Sequence, residues 1–388
     1  MATHTPMILS ISTKPHNGTV TVPGLGLTPP VTPTIDDCNP SEACASSSAS
    51  HAVVGSTPPQ FSGELEYPRD EKGRSISFGS GAWSVVYKAF ASPRASNPTR
   101  PITPPGSPGP TGRLVAVKTP GRGDARAILY AEALALTRAS SVPDSEHYIV
   151  PFHGYITDSG SIVMSAIPLS LSTYIEDKAL LARQNFSTRT MLDPVLGPAQ
   201  WYDLAKKLIT SLSWLHSNAQ IVHGDIKPHN ILLQPRTALD NDMDSVEFPY
   251  EPLLADFSSS YSITASEKPT GTALSAVTPP FTAPELLRNL SSPDAIPTPA
   301  SDVFSLAVTL LAAATGDLLI YSGFNGPQRL MRAKDGHLVI DFARSGNNGS
   351  RVPKNGTVEN IIKPAIAKDP AERVVPSAWL QLAESVGA

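Results

Sequence analysis

Cysteine is nearly absent: Cys38 and Cys44 are the only two in 388 residues. Both lie in a stretch dense in Ser, Thr and Pro, so cysteine can build neither a disulfide framework nor a four-ligand zinc site. That usage predicts a reducing, intracellular setting, cytoplasmic or nuclear. An excess of basic residues is also lacking. The 30 Lys and Arg stand against 34 Asp and Glu, a formal net charge of -4, which gives no electrostatic footprint for a nucleic-acid partner. Long apolar runs are missing as well. The opening MATHTPMILSISTK has no basic segment leading into an apolar core, and the most apolar stretch, Val303 to Ala314, falls short of the roughly 20 residues a membrane helix needs. Neither signal peptide, membrane span nor membrane partner is expected.

The residues that are present divide the chain. Hydrophobic residues make up 40%, enough for a sizeable core. Residues 1–69 are rich in Ser, Thr and Pro and poor in aromatics, which predicts a disordered tail whose Ser/Thr-Pro steps suit proline-directed phosphorylation. From Ser75 the pattern becomes strand, turn, strand: Ile76 and Phe78 lead into Gly79, Gly81 and Ser84, and Val85, Val86 and Tyr87 resume a β-rich run. Glycines here serve either a tight turn needing positive φ or a close approach of backbone to a ligand. Residues 91–112 form a proline-dense insertion that cannot join a sheet and is expected to loop out. Its extra length costs only about 0.6 kcal/mol per doubling of the loop. The insertion and the tail are candidate ligands for partners that grip extended proline helices.

Arg113 to Lys118, RLVAVK, reads as a buried strand with Leu114, Ala116 and Lys118 on one face and Val115 and Val117 on the other. A lysine on an apolar face requires an anion. The following stretch supplies one: Asp124 is a candidate helix cap, and Ile128, Glu132 and Leu136 recur at helical spacing, which puts Glu132 in the apolar stripe. Each charge is costly alone, and together they satisfy one another. Further on, Trp201, Leu204, Leu208, Leu212 and Leu215 mark a core helix.

Reactive side chains are densest at Ile221 to Leu233, IVHGDIKPHNILL, where a polar loop is pinned by apolar residues at both ends. A carboxylate (Asp225) can accept a hydroxyl proton, an ammonium (Lys227) can neutralise charge developing on a transferred phosphate, and an amide oxygen (Asn230) can ligate a hard cation. The spacing D-x-K-x-x-N resembles the catalytic loop of eukaryotic-type Ser/Thr protein kinases, with Gly224 where most members carry Arg.

Other segments are similar to the same family, in the same order. The hairpin with Gly79, Gly81, Ser84 and Val86 resembles the nucleotide-covering loop, with Ser84 in place of the third glycine. VAVK followed by Glu132 resembles the paired lysine and helix glutamate. Leu253 to Ser258, LLADFS, resembles the D-F-G segment with Ser258 for Gly, a change that costs about 1 kcal/mol if positive φ is needed there. VTPPFTAPE resembles the segment ending in A-P-E, with Thr278 where a Ser/Thr kinase has a hydroxyl beside the base. Asp302 stands where the family anchors its catalytic loop, and Arg373 where it pairs with Glu285.

The resemblance implies an α+β, bilobal fold: a small β-rich lobe over 70–168 and a larger, mainly helical lobe over 169–388. It implies ATP and Mg2+ as cofactors, with Asp225, Lys227 and Thr278 catalytic and Asn230 and Asp256 on the metal. Gly79, Gly81, Ser84, Val86, Ala116, Lys118, Glu132, Met164, Ser165 and Ile167 would line the nucleotide site, Met164 behind adenine and Ser165 to Ile167 as the hinge. The partner implied is a protein substrate with a Ser or Thr acceptor. Two alternatives stand beside this reading. Three departures, Ser84, Gly224 and Ser258, suit a pseudokinase serving as a binding module, and H-G-D followed by Asn is also similar to small-molecule phosphotransferases. The latter lack the Thr278 and Ala283-Pro284-Glu285 segment.

Overall fold

The computed structural model describes residues 57–93, 112–236, 247–264, 278–290, 292, 295–321 and 323–387. The tail up to 56 with both cysteines, most of the proline-rich insertion, and residues 265–277 lie outside them. The small lobe is a six-stranded sheet of β1 (Glu64–Glu66), β2 (Ser77–Ser80), β3 (Ser84–Ser92), β4 (Arg113–Pro120), β5 (Phe152–Ile156) and β6 (Ser161–Ser165). The order is β1-β3-β4-β6-β5, all neighbours antiparallel, with β2 also paired to β3. Helix α1 (Ala125–Ser140) lies between β4 and β5 in the chain and packs on the face that carries Ala116.

The sheet begins earlier than the tail boundary at 69 predicts. Leu65 pairs with Ala91 in β3, while Phe61 N-H donates to the Tyr155 carbonyl (3.0 Å) and Tyr155 N-H to the Pro59 carbonyl (2.8 Å). One short strap therefore pairs with two strands that are not neighbours in the sheet, β3 and β5. Its Phe61, Leu65 and Tyr67 pack over Ala89, Val115, Val117 and Val163, the opposite face from α1. The insertion is also shorter than 91–112, because β3 runs to Ser92 and Ala91 pairs with Arg113. Asp124 does not cap α1: its backbone is helical and its carboxylate pairs instead with Arg122 at 2.7 Å.

The large lobe is built from α2 (Leu171–Gln184), α3 (Pro198–Ser217), α4 (Pro284–Arg288), α5 (Pro299–Thr315), α6 (Gly326–Ala333), α7 (Val339–Ser345), α8 (Thr357–Ile362) and α9 (Pro376–Gly387). Short strands β7 (Ile221–Val222), β8 (Ile231–Pro235), β9 (Tyr250–Leu254) and β10 (Tyr261–Ser262) form two ribbons, β7 with β10 and β8 with β9. Helix α5 is apolar nearly all round and is buried from Ser301 to Thr315, as such a helix must be. It starts at a reciprocal cap between Thr298 and Ser301. Trp201 of α3 donates its indole N-H to the Leu310 carbonyl of α5 at 2.9 Å, so the leucine stripe read from sequence is core. The lobes join through backbone bonds: Val150 N-H to the Leu254 carbonyl and Leu254 N-H to the Tyr148 carbonyl, both 2.9 Å.

Candidate active site

Between the lobes lies a cleft of about 620 Å³. Gly79, Gly81, Ser84, Val86, Ala116, Lys118, Glu132, Met164, Ser165, Ile167, Lys227, Asn230, Asp256 and Thr278 all line it. Of the site residues expected from sequence only Asp225 is set behind its wall. Neither Gly79 nor Gly81 has positive φ, and a Cβ on either would meet no atom within 4 Å. The turn itself therefore does not require them, and the feature they share is a bare backbone facing the cleft.

Alternation along β4 delivers Lys118 to the cleft side of the sheet, where its side chain is 7% exposed. Its Nζ donates to both carboxylate oxygens of Glu132 at 2.7 Å and to Asp256 Oδ1 at 2.7 Å. Burial works against the ammonium charge, but Asp256 and Glu132 outweigh it and hold Lys118 above an ordinary lysine. Burial pushes the Glu132 carboxyl up to about 7 against the pull of Lys118, and the Asp256 charge adds to the rise. Asp256 also feels burial, yet Lys118 dominates and keeps its carboxyl well below the usual range, helped by a hydrogen bond from Ser258. Two carboxylates thus face one ammonium.

Asp256, not Ser258, is the residue in the left-handed region, with φ 63°. The strain expected from Ser in place of Gly is absent, because the backbone at 258 does not adopt positive φ. Phe257 is buried against the His223 ring, 4.8 Å between centroids, and its N-H donates to Glu132 Oε1 at 3.2 Å.

The loop from Ile221 to Leu233 is held from below. Asp302, 1% exposed, accepts from His223 N-H (2.7 Å) and Gly224 N-H (2.9 Å), and His216 Nε2 lies 3.0 Å from its Oδ2. Above this clamp Lys227 Nζ donates to Asp225 Oδ2 (2.6 Å) and to Thr278 Oγ1 (3.1 Å). Asn230 donates its amide N-H bonds to the Asp225 carbonyl (2.8 Å) and Oδ2 (2.9 Å). Burial raises the Asp225 carboxyl, with Lys227 opposing. Arg373 closes the region with a two-pronged bond to Glu285, 2.8 and 2.7 Å.

The donor set fits a hard divalent cation. The carboxylate pair around Lys118 is one positive charge short, Asp256 has 38% of its side chain exposed, and Asn230 spends its N-H bonds on Asp225, which leaves its oxygen as the acceptor. Among the described residues no cluster of three or more His, Cys, Asp or Glu could hold a metal by itself.

Sequence reasoning missed several lining residues: Phe78, Ser170, Ser172, Thr173, His229 and Leu232. Leu232 was legible, two positions after Asn230 in the alternation of β8. Ser170 caps α2 by accepting from Thr173 N-H at 3.2 Å, a pattern also visible in the sequence.

Comparisons with known proteins agree with this geometry. The family description that matches is the protein kinase domain, over residues 111–383. The match starts at the end of the insertion, so β1 to β3 and the glycine-rich hairpin extend the fold upstream of it. Among curated proteins, Arabidopsis thaliana mitogen-activated protein kinase kinase 3 is 31% identical over 185 residues, 47% of this chain and 29% of that protein. Serine/threonine-protein kinase PknK of Mycobacterium tuberculosis is 37% identical over 123 residues, 31% of this chain and 9% of its own length. PrkC of Bacillus subtilis is 28% identical over 179 residues, 46% of this chain and 23% of the relative. The chain spans less than a third of each of these relatives. Because the matched region takes in the lysine strand, the catalytic loop and both anchoring ion pairs, the chain belongs to the protein kinase domain family.

Proposed function

We propose that the protein transfers the γ-phosphoryl group of ATP to Ser and Thr hydroxyls of protein substrates. The observation that carries this reading is the Lys227 bridge, 2.6 Å to Asp225 and 3.1 Å to Thr278, which opens on the same cleft as Lys118. Asp225 accepts the acceptor hydroxyl's proton, and burial favours this by raising its affinity for a proton. Lys227 sits between that base and Thr278 and neutralises charge on the transferred group. Thr278 is part of the wall against which a Ser or Thr side chain would lie. Lys118, fixed by Glu132, binds phosphate oxygens, and the bare backbone at Gly79 and Gly81 leaves room for the triphosphate. Asn230 and Asp256 would hold Mg2+, which supplies Lewis-acid neutralisation of the phosphates. Met164 and the Ser165 to Ile167 backbone form the adenine end.

The test is incubation of the purified full chain with Mg2+, labelled ATP and a generic protein substrate, beside Asp225→Asn. Label on Ser or Thr that disappears in the variant is expected. Label on small metabolites alone would replace this reading with a small-molecule phosphotransferase, and nucleotide binding without transfer would leave a binding module.

A further inference from the structure

Trp83 sits at the tip of the glycine-rich hairpin, between Gly81 and the start of β3. It is absent from the cleft wall that its neighbours Gly79, Gly81 and Ser84 form. Its ring lies instead under the Arg122 guanidinium, 4.1 Å from the ring centroid. Arg122 belongs to the turn between β4 and α1, and its Nε is held 2.7 Å from Asp124 Oδ1. The backbone repeats the link: Gly121 N-H donates to the Trp83 carbonyl at 2.8 Å. The hairpin tip is thus fastened to the turn that starts α1, the helix carrying Glu132.

We propose that Trp83 and Arg122 form a latch that holds the hairpin tip down and sets how long a nucleotide stays in the cleft. The proposal rests on the nucleotide reading above and goes beyond it to a positioning pair outside the site. Two features oppose each other in the docked tip. The flat guanidinium over the indole attracts it. Against this, the indole N-H is shut from solvent and has no acceptor among the described residues. An attraction with a penalty built in gives a tip that can release, which is what entry and exit of a ligand beneath it require. The open space around Gly79 and Gly81 lets the hairpin pivot without side-chain collisions.

Stopped-flow release of a fluorescent ADP analogue with Mg2+ from the full chain reads this directly. Arg122→Ala and Trp83→Ala are each expected to speed release about fivefold, the size of one partly exposed cation-π contact. Trp83→Phe should retain most of the wild-type residence, and the double variant should release no faster than either single. The apparent melting temperature of the nucleotide-free protein serves as the structural control and should fall by no more than about 2–4 °C, the size of one such contact. Intrinsic fluorescence gives a second signature, since the other three of the four Trp, 201, 214 and 379, are buried in the large lobe. Arg122→Ala should alter the Trp83 emission before nucleotide is added. Wild-type release rates in both single variants, or effects that simply multiply in the double, would overturn the latch while leaving the nucleotide site standing. A wild-type chain that binds no Mg-ADP would overturn both.

Discussion

The carbonyl oxygen of Ser259 lies only 2.5 Å from where a Cβ on Gly224 would be, and Gly224 has φ +80°. Glycine at this point is therefore a requirement of backbone packing and not a bare loss of the family's arginine. Any side chain there must both adopt a left-handed backbone and push the segment after Phe257 aside. Gly224→Ala is expected to destabilise the protein by about 1–3 kcal/mol and Gly224→Arg by more, with turnover falling because Asp225 follows directly. Thermal denaturation and a peptide assay measure this. An arginine variant as stable and active as the parent would show that the Ser259 backbone yields freely.

The same packing bears on control. In the family that the loop resembles, the arginine meets a phosphate on the segment leading to A-P-E, and here its position is filled by backbone. Protein treated with phosphatase is expected to phosphorylate a generic substrate as fast as untreated protein. A collapse in rate would mean that another cation has taken over the role.

A pH effect follows from Glu132. Its carboxyl is raised from 4.5 to about 7, so the folded, nucleotide-free protein binds this proton more tightly than the unfolded chain. The associated stabilisation is complete below about 4.5 and is lost as pH rises through 7. Measured against Glu132→Gln, which has no proton to release, wild-type stability should fall by something on the order of 3 kcal/mol between pH 4.5 and pH 8. Denaturation midpoints of the two proteins across that range decide it, and parallel curves would remove the claim. Turnover of Glu132→Gln should be reduced most above about pH 7, where wild-type Glu132 is charged and Lys118 loses that partner.

Much of the site was legible because its chemistry is local or periodic. Alternation in RLVAVK and helical spacing at Ile128, Glu132 and Leu136 predict the Lys118 to Glu132 ion pair with no knowledge of the fold. What could not be read depends on contacts between distant segments. The reason for Gly224 is an atom of Ser259, and the left-handed residue of DFS is Asp256, where the pattern pointed to Ser258. The strap at 57–67 differs from the tail before it by Phe61 and Tyr67, a local change that a boundary drawn on overall Ser/Thr/Pro content passes over, and its three-residue strand depends on pairing with the distant β3. Asp124 looked like a cap, but the neighbouring Arg122 won its carboxylate.

The strap gives a domain-boundary prediction. A chain starting at residue 70 would expose Ala89, Val115, Val117 and Val163, which Phe61, Leu65 and Tyr67 now cover. Uncovering three large side chains' worth of apolar contact should cost about 3–6 kcal/mol, a large part of a typical domain's stability. Comparison of chains beginning at 57 and at 70 by melting and by soluble yield tests it. Equal stability would mean that the strap is dispensable.

Asp302 does not line the cleft, yet it holds the loop that carries Asp225. It is 1% exposed, and its two oxygens take up the N-H groups of His223 and Gly224. Asp302→Ala leaves the buried His223 N-H and the half-buried Gly224 N-H unpaired next to His216, at a cost of about 2–5 kcal/mol. Asp302→Asn has one acceptor oxygen where two are needed and should show about half of that loss. The nucleotide end depends on Lys118, Glu132 and the hinge, which Asp302 does not touch, so Mg-ADP affinity should be kept while kcat falls at least about tenfold as Asp225 loses its fixed position. The separation matters. If affinity and kcat decline together, the variant has disturbed the whole cleft and Asp302 is a general stabiliser. If kcat alone declines, its carboxylate is the part that aims the base.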